Sequence, residues 1–224
     1  MRNILAMNDT ASTQPASATE RTYSGVAISE RAAYRRQRFI DAGIILFGNE
    51  GFQATTIRKL TAQTGLTNRY FYESFQDMED LLIACYETLM SDFREQLQAE
   101  LDTASESPEK RIRAGLTCFF NAMSKPEFAR ITHSEVLGVS PRVEAVYSRY
   151  TADFAELLMG YLSPTGTSVS TSDNTQREYV GAALAGAVIN AGIVWVRSRY
   201  AVSLEEIVDA TLTVFLGTAN LLQR

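Results

Sequence analysis

From Ser29 onward, apolar residues recur at intervals of three and four with few breaks, and no twofold alternation or hairpin signal interrupts them. A period near 3.6 places such residues on one face of an amphipathic helix. The pattern therefore predicts an all-α chain. Its 224 residues are enough for one large domain or two small ones, and a 46% hydrophobic share excludes wholesale disorder and collagen-like repeats.

The punctuation divides this helical text. Residues 8–20 are of low complexity, so 1–28 are expected to form a disordered arm. Ser29 is placed to cap a first helix, with Phe39, Gly43, Leu46 and Phe47 inward, Gly51 as its left-handed end and Phe52 folding back. Thr55 or Thr56 caps a second helix over 56–64, with Ile57, Leu60 and Thr61 inward. Gly65 closes it, Leu66 is an apolar plug, and Thr67 caps a short third helix over 68–75. Two helices of about two turns, joined by the Gly65-Leu66-Thr67 turn, have helix-turn-helix spacing. The domain so bounded covers 29–77, and 78–224 form a helical bundle. Its helices are expected at 78–101, 109–124, 126–136, 141–162, 176–200 and 204–222, with a polar loop over 163–175.

The net charge of −5 is unevenly spread. Residues 21–72 carry eight basic side chains against three acidic ones, whereas 73–224 carry twelve against 21. A basic segment on an acidic chain points to a local polyanion site, or more plainly to a solvated helix face.

A helix-turn-helix lays its second helix in the major groove while the first crosses the backbone. Such a helix needs hydrogen-bonding side chains at its start and apolar ones beneath. Here Thr67, Asn68, Arg69 and Tyr70 come first, with Phe71 and Phe75 placed to pack inward. Arg69 suits guanine and Asn68 adenine. Tyr72 and Thr56 suit phosphate oxygens, and Arg35, Arg36 and Arg58 supply salt-dependent attraction. The expected DNA-binding set is thus Arg35, Arg36, Thr56, Arg58, Thr67, Asn68, Arg69, Tyr70 and Tyr72. The alternative from another class is a helical hairpin that docks a protein partner.

The stretch TTIRKLTAQTGLTNRYFYESFQDMEDLL, residues 55–82, resembles the helix-turn-helix of TetR-family regulators. Their pattern is matched at Thr56, Leu60, Gly65, Leu66, Thr67, Tyr72 and Phe75, and the preceding helix is similar at Phe47, Gly51 and Phe52. The resemblance is specific over about 31–85. Thr61 and Thr64 depart from common alanines, and Arg69 from a frequent glycine. Met78 replaces a frequent lysine, so that residue's phosphate contact is not carried over. The resemblance implies a three-helix DNA-binding domain followed by a bundle for dimerisation and ligand binding. The function it implies is that of a transcriptional repressor on palindromic double-stranded operator DNA, released by a small apolar or aromatic effector.

Two recognition helices need a homodimer to space them. The apolar stripes of the last two helices supply the expected interface: Val180, Leu184, Val188 and Ala191, then Ile207, Thr211, Val214, Phe215 and Thr218. Phe119, Phe120, Met123, His133, Tyr147 and Trp195 are the expected lining of an effector pocket, and plain core is the competing reading.

Other chemistry finds little support. No nucleophile elbow, phosphate loop, dinucleotide fingerprint or zinc-protease helix occurs, so no catalytic residue is assigned and the chain is not expected to be an enzyme. One histidine and two cysteines, Cys85 and Cys118, exclude a disulfide framework and a multi-histidine metal centre; neither metal nor cofactor is expected. Cys118, flanked by apolar residues, reads as a buried thiol. The apolar start, residues 4–7, is too short for a signal peptide, which with the cysteine usage suggests a cytoplasmic protein. The uncharged stretch 179–196 is just long enough to span a bilayer, but its glycines, alanines and Asn190 favour a buried helix.

Overall fold

A computed structural model of the chain describes residues 18–104, 107–162 and 171–222. These residues form α1 (Ala18–Asn49), α2 (Ile57–Thr64), α3 (Asn68–Ser74), α4 (Met78–Thr103), α5 (Pro108–Met123), α6 (Pro126–Arg130), α7 (Pro141–Leu162), α8 (Thr171–Arg197) and α9 (Leu204–Leu222). No strand occurs among the described residues.

The helix boundaries follow local chemistry. The Thr56 hydroxyl accepts from Lys59 N at 3.3 Å, and Gly65 ends α2 at φ +68° with its N–H on Thr61 O. Thr55 does not cap; its hydroxyl is turned inward onto Gly51 O at 2.8 Å. Thr64, not Thr61, is the buried threonine of α2, and it holds Leu60 O at 2.8 Å. Gly51 lies at φ +94°, just beyond α1, and Phe52 folds back so that its ring centroid is 5.6 Å from that of Phe47.

Two expectations fail at the ends. The helix expected to start at Ser29 starts at Ala18, so Ser29 is not its cap and 18–28 are not an unstructured arm. Residues 18–28 hold no proline, and extending a helix already nucleated costs far less than starting one. Residues 1–17 lie outside the described set. Similarly, α8 begins at Thr171, inside the expected polar loop.

Two apolar cores meet along α4. The first gathers Phe39 and Phe47 of α1, Leu60 of α2, and Phe71 and Phe75 around α3, with the Phe39 and Phe71 rings edge to face at 5.5 Å. It continues through Leu81, Leu82 and Cys85 of α4 to Ile131, Val136 and Val143. The second contains Phe93 and Leu97 of α4, Phe119, Phe120 and Met123 of α5, and Val188 and Phe215 from the last two helices. Leu89 and Met90 pack on both. The seam therefore lies midway along α4, not at the turn before Met78. A helix of this length is a beam about 39 Å long.

The expected single helix over 126–136 is interrupted. After α6 the chain makes a π-helical turn, Ile131–Glu135. Its wider winding brings residues five apart side by side. Arg130 Nε thus meets Glu135 Oε1 at 2.7 Å.

By length and composition one described helix could cross a membrane, Thr175–Arg197, with a mean hydropathy of 1.8. Here that helix packs between α7 and α9, burying Leu184, Ala185, Val188 and Trp195.

Candidate nucleic-acid interface

The third helix is seated by its aromatic underside. Phe71 and Phe75 are fully buried, and the guanidinium groups of Arg35 and Arg36 lie over the rings of Tyr70 and Phe75 at 4.4 and 5.0 Å. Each such cation–π contact is worth roughly 0.5–1 kcal/mol at a partly exposed site. Arg35 and Tyr70 are thus half-buried parts of the α1–α3 packing, a structural role that the sequence reading did not assign them.

The opposite side of α3 is open. Thr67, Asn68, Arg69 and Tyr72 are exposed, with Arg69 at 84% side-chain exposure and Tyr72 at 61%. Thr56 and Arg58, at the start of α2, are exposed as well. The Thr67 side chain makes no capping hydrogen bond. Arg69 Nε donates to Glu73 Oε1 at 2.9 Å, and Arg35 lies 3.7 Å from the same carboxylate. Glu73 therefore holds Arg69 along the helix and partly cancels the local positive charge. Sequence spacing allowed this i,i+4 pair to be seen, but not its link to Arg35. Lys59, basic in the same segment, is paired to Glu50.

The corner behind this surface is clamped to the rest of the chain. Glu135 Oε2 accepts from Phe52 N at 2.7 Å, while Arg130 donates through Nη1 to Asn49 O at 2.8 Å. Gly48 packs so closely that an added Cβ would come 2.8 Å from the Glu127 Cα of α6. None of this clamp was legible beforehand, because its partners are some 80 residues apart. At the other end of the domain, Arg142 bridges Asp77 and Glu79 at 2.6 and 3.2 Å.

The bundle sorts its predicted residues differently. Phe119, His133 and Tyr147 line a cavity of about 20 Å³ together with Phe93, Phe128 and Phe154. Phe119 and Phe154 also line an aliphatic cavity of about 40 Å³. Phe120, Met123 and Trp195 line neither. Phe120 and Met123 are sealed in the core, and Trp195 spends its indole N–H on Val202 O at 2.8 Å, fastening the α8–α9 turn. His133 is half-buried as a residue, but both ring nitrogens are shielded from solvent without a well-formed hydrogen bond. Burial pushes the imidazole's pKa down, and the neighbouring Thr132 backbone opposes this only in part. Cys85 and Cys118 are both free and buried, and burial raises both thiols. Among the described residues no cluster of histidine, cysteine and carboxylate side chains could hold a metal ion.

The expected dimer stripe is corrected in part. Leu184, Val188, Thr211 and Phe215 are buried in the chain's own core, at 4%, 0%, 6% and 1% exposure. Val180, Ala191, Ile207 and Thr218 are half-buried, and Val214 is exposed. The most apolar stripe of a helix is what its own fold buries first. The outer face left on α8 and α9 carries Tyr179, Gly186, Val194, Val214, Gly217 and Leu221, and an added Cβ on Gly186 or Gly217 would meet nothing within 4 Å.

Comparison with known proteins agrees with this geometry. Residues 39–85 match the family described as bacterial regulatory proteins, tetR family. An uncharacterized HTH-type transcriptional regulator, YerO, of Bacillus subtilis (strain 168) is 30% identical over 80 residues; the match covers 35% of this chain and 28% of that protein. Among solved structures, FadR from Bacillus subtilis, in complex with stearoyl-CoA, is similar with a TM-score of 0.64 and 16% identity, over 80% of this chain and 96% of that one. A TetR-like transcriptional regulator from Rhodococcus sp. RHA1 is similar with a TM-score of 0.61 and 20% identity, over 81% and 93% of the two chains. A transcriptional regulator from Pseudomonas aeruginosa PAO1 reaches 0.67 at 16% identity, over 84% and 91%. Residues 39–85 thus carry a helix-turn-helix domain of the tetR family of bacterial regulatory proteins, and the helices around it take the fold of these similar solved structures.

Proposed function

We propose that the chain is a homodimeric, sequence-specific transcriptional repressor that leaves its operator when a small apolar or aromatic effector enters the bundle. The observation that carries this reading is the two-sided third helix. Its aromatic face is locked into the first core, while Thr67, Asn68, Arg69 and Tyr72 stand outward and exposed, Arg69 tied to Glu73 and Tyr72 edge to face with Phe71. Arg69 takes the role of base reader, Asn68 that of its neighbour, and Thr56, Arg58 and Tyr72 hold phosphates. Arg36 adds attraction that salt screens. Dimerisation through the outer face of α8 and α9 gives a twofold pair of recognition helices, and a palindromic operator follows from that symmetry.

The effector acts by differential affinity. It shifts the protein only as far as it prefers the conformer whose recognition helices no longer match the groove spacing. The aliphatic cavity supports an apolar ligand. The stearoyl-CoA complex of the Bacillus subtilis FadR makes an acyl chain the first compound to try. Selection of bound fragments from a random DNA pool by the full chain, repeated with candidate ligands, tests the whole reading. An enriched palindrome that is lost on adding a ligand is expected. Failure to enrich any sequence, or a strictly monomeric protein, would overturn it.

A further inference from the structure

The two cavities of the bundle meet at one pair of rings. Phe119 and Phe154 lie stacked with centroids 6.1 Å apart and planes 22° apart, and both wall both spaces. On one side the lining is aliphatic, with Leu97, Leu101, Ile112, Leu116 and Leu157, apart from Arg111. On the other it is aromatic, and His133 stands in it, its ring stacked at 28° on Phe119 and edge to face with Phe128. The two spaces measure about 40 and 20 Å³, and Phe154, half-buried on α7, is the ring that one elongated molecule would have to displace, widening both spaces, to make them a single chamber.

The polarity of that chamber is specific. No charged side chain lines its aromatic end; Arg149 lies outside it against the ring of Tyr150 and is paired to Glu87 at 3.0 Å, and Arg111 belongs to the aliphatic end. An anionic head group at the aromatic end would therefore be buried without a cationic partner, which is costly. His133 is different, because both of its ring nitrogens are buried and unsatisfied. Held neutral by burial, an imidazole offers one donor and one acceptor. A hydroxyl on an aromatic ring matches either of them, and the stacked walls match the ring.

We propose that the bundle takes an elongated ligand whose uncharged, phenol-like ring hydrogen-bonds to His133 and whose aliphatic arm passes Phe119 and Phe154 into the aliphatic space. This rests on reading the bundle as the effector site. His133 also lies in the π-helical turn whose last residue, Glu135, holds Phe52 N. A ligand that draws His133 inward pulls on the turn that anchors the α1–α2 corner.

The test uses the full chain and four probes: para-hexylphenol, hexylbenzene, para-hexylbenzoate and stearoyl-CoA. Affinities are measured by calorimetry, and binding is also followed through the imidazole resonances of His133. It is the single histidine of the chain, so those signals need no assignment and no variant. Para-hexylphenol should bind about tenfold more tightly than hexylbenzene, one net hydrogen bond's worth, and should shift the imidazole signals. His133→Phe should abolish that preference and leave hexylbenzene bound. Equal affinity for the two, unshifted imidazole signals with the phenol bound, tightest binding of the benzoate or of stearoyl-CoA, or binding of no probe would each overturn the proposal. Operator release by stearoyl-CoA without a change at His133 would overturn this ligand assignment and leave the regulator standing. A chain that enriches no DNA would remove the regulator, while the His133 signals would still report on the phenol.

Discussion

Glu135 accepts a hydrogen bond from the backbone N–H of Phe52 at 2.7 Å, across 83 residues of chain. Through this contact the end of a π-helical turn in the bundle holds the corner from which the helix-turn-helix departs. Its other carboxylate oxygen takes Arg130 Nε at 2.7 Å, and Arg130 in turn holds Asn49 O. The Glu135 side chain is 15% exposed, so the ion pair is partly desolvated. Replacing Glu135 by Ala strands the Phe52 N–H and one face of the guanidinium. Chemical denaturation should show a loss of about 1.5–3 kcal/mol, the usual cost of an orphaned charge-assisted bond. A midpoint unchanged from wild type would show that the clamp carries no weight.

Two left-handed glycines separate backbone strain from crowding. Gly65 has φ +68° and open space around it, so Gly65→Ala should cost only the left-handed penalty, about 1–2 kcal/mol. Gly51 has φ +94°, and a Cβ there would come 2.5 Å from Arg130 Nη2. Gly51→Ala must displace the guanidinium as well and should cost about 1–3 kcal/mol more, the range for overpacking a filled site. Equal losses for the two variants in urea titrations would refute the close approach.

Glu73 governs how much positive charge the third helix presents, because it pairs with Arg69 at 2.9 Å and lies near Arg35. Glu73→Gln should tighten DNA binding by about 0.2–1 kcal/mol, the range of an exposed ion pair. Arg69→Ala should weaken binding by about 1–3 kcal/mol and relax the preference at one base position. Arg58→Ala should weaken all sequences alike and lower the salt slope by about 0.9. Uniform weakening by Arg69→Ala would remove that residue as a base reader.

The proposed dimer face is tested where it is most exposed. Val194 and Val214 are 56% and 49% accessible. Placing Arg at both should give monomers in sedimentation, while the fold loses no more than about 0.5 kcal/mol per site, as is usual for surface changes. Dimers that persist would move the interface elsewhere.

The buried imidazole makes stability depend on pH with a definite sign. The His133 pKa is lowered in the fold, so below the ordinary value of 6.5 the unfolded chain takes up a proton that the native state resists. The stability advantage is complete above that value and drains away as pH falls through it. Urea midpoints of wild type and His133→Phe should therefore differ by a constant amount above about pH 7, with wild type losing ground below. A constant difference throughout would show that His133 protonates equally in both states.

The helices, their order and the Gly65 bend could be read along the chain, because a helix is a local object written in a 3.6-residue period and in caps a few residues apart. The outward set Thr67, Asn68, Arg69 and Tyr72 was legible for the same reason, since Phe71 and Phe75 mark the side that must be buried. Other features depended on partners far away in the chain. Periodicity picked Leu184, Val188 and Phe215 as a surface between subunits, yet one chain's own core consumed them first. Nothing local announced that Arg35 would lie over Tyr70, or that Arg130 and Glu135 would fall side by side on a π turn and reach back to Asn49 and Phe52. Nor did composition reveal that His133 would be shielded between Phe119 and Phe128 without a hydrogen bond. Local pattern determined which faces are apolar; only the packing of distant helices decided which of those faces meet, and which polar atoms are left between them.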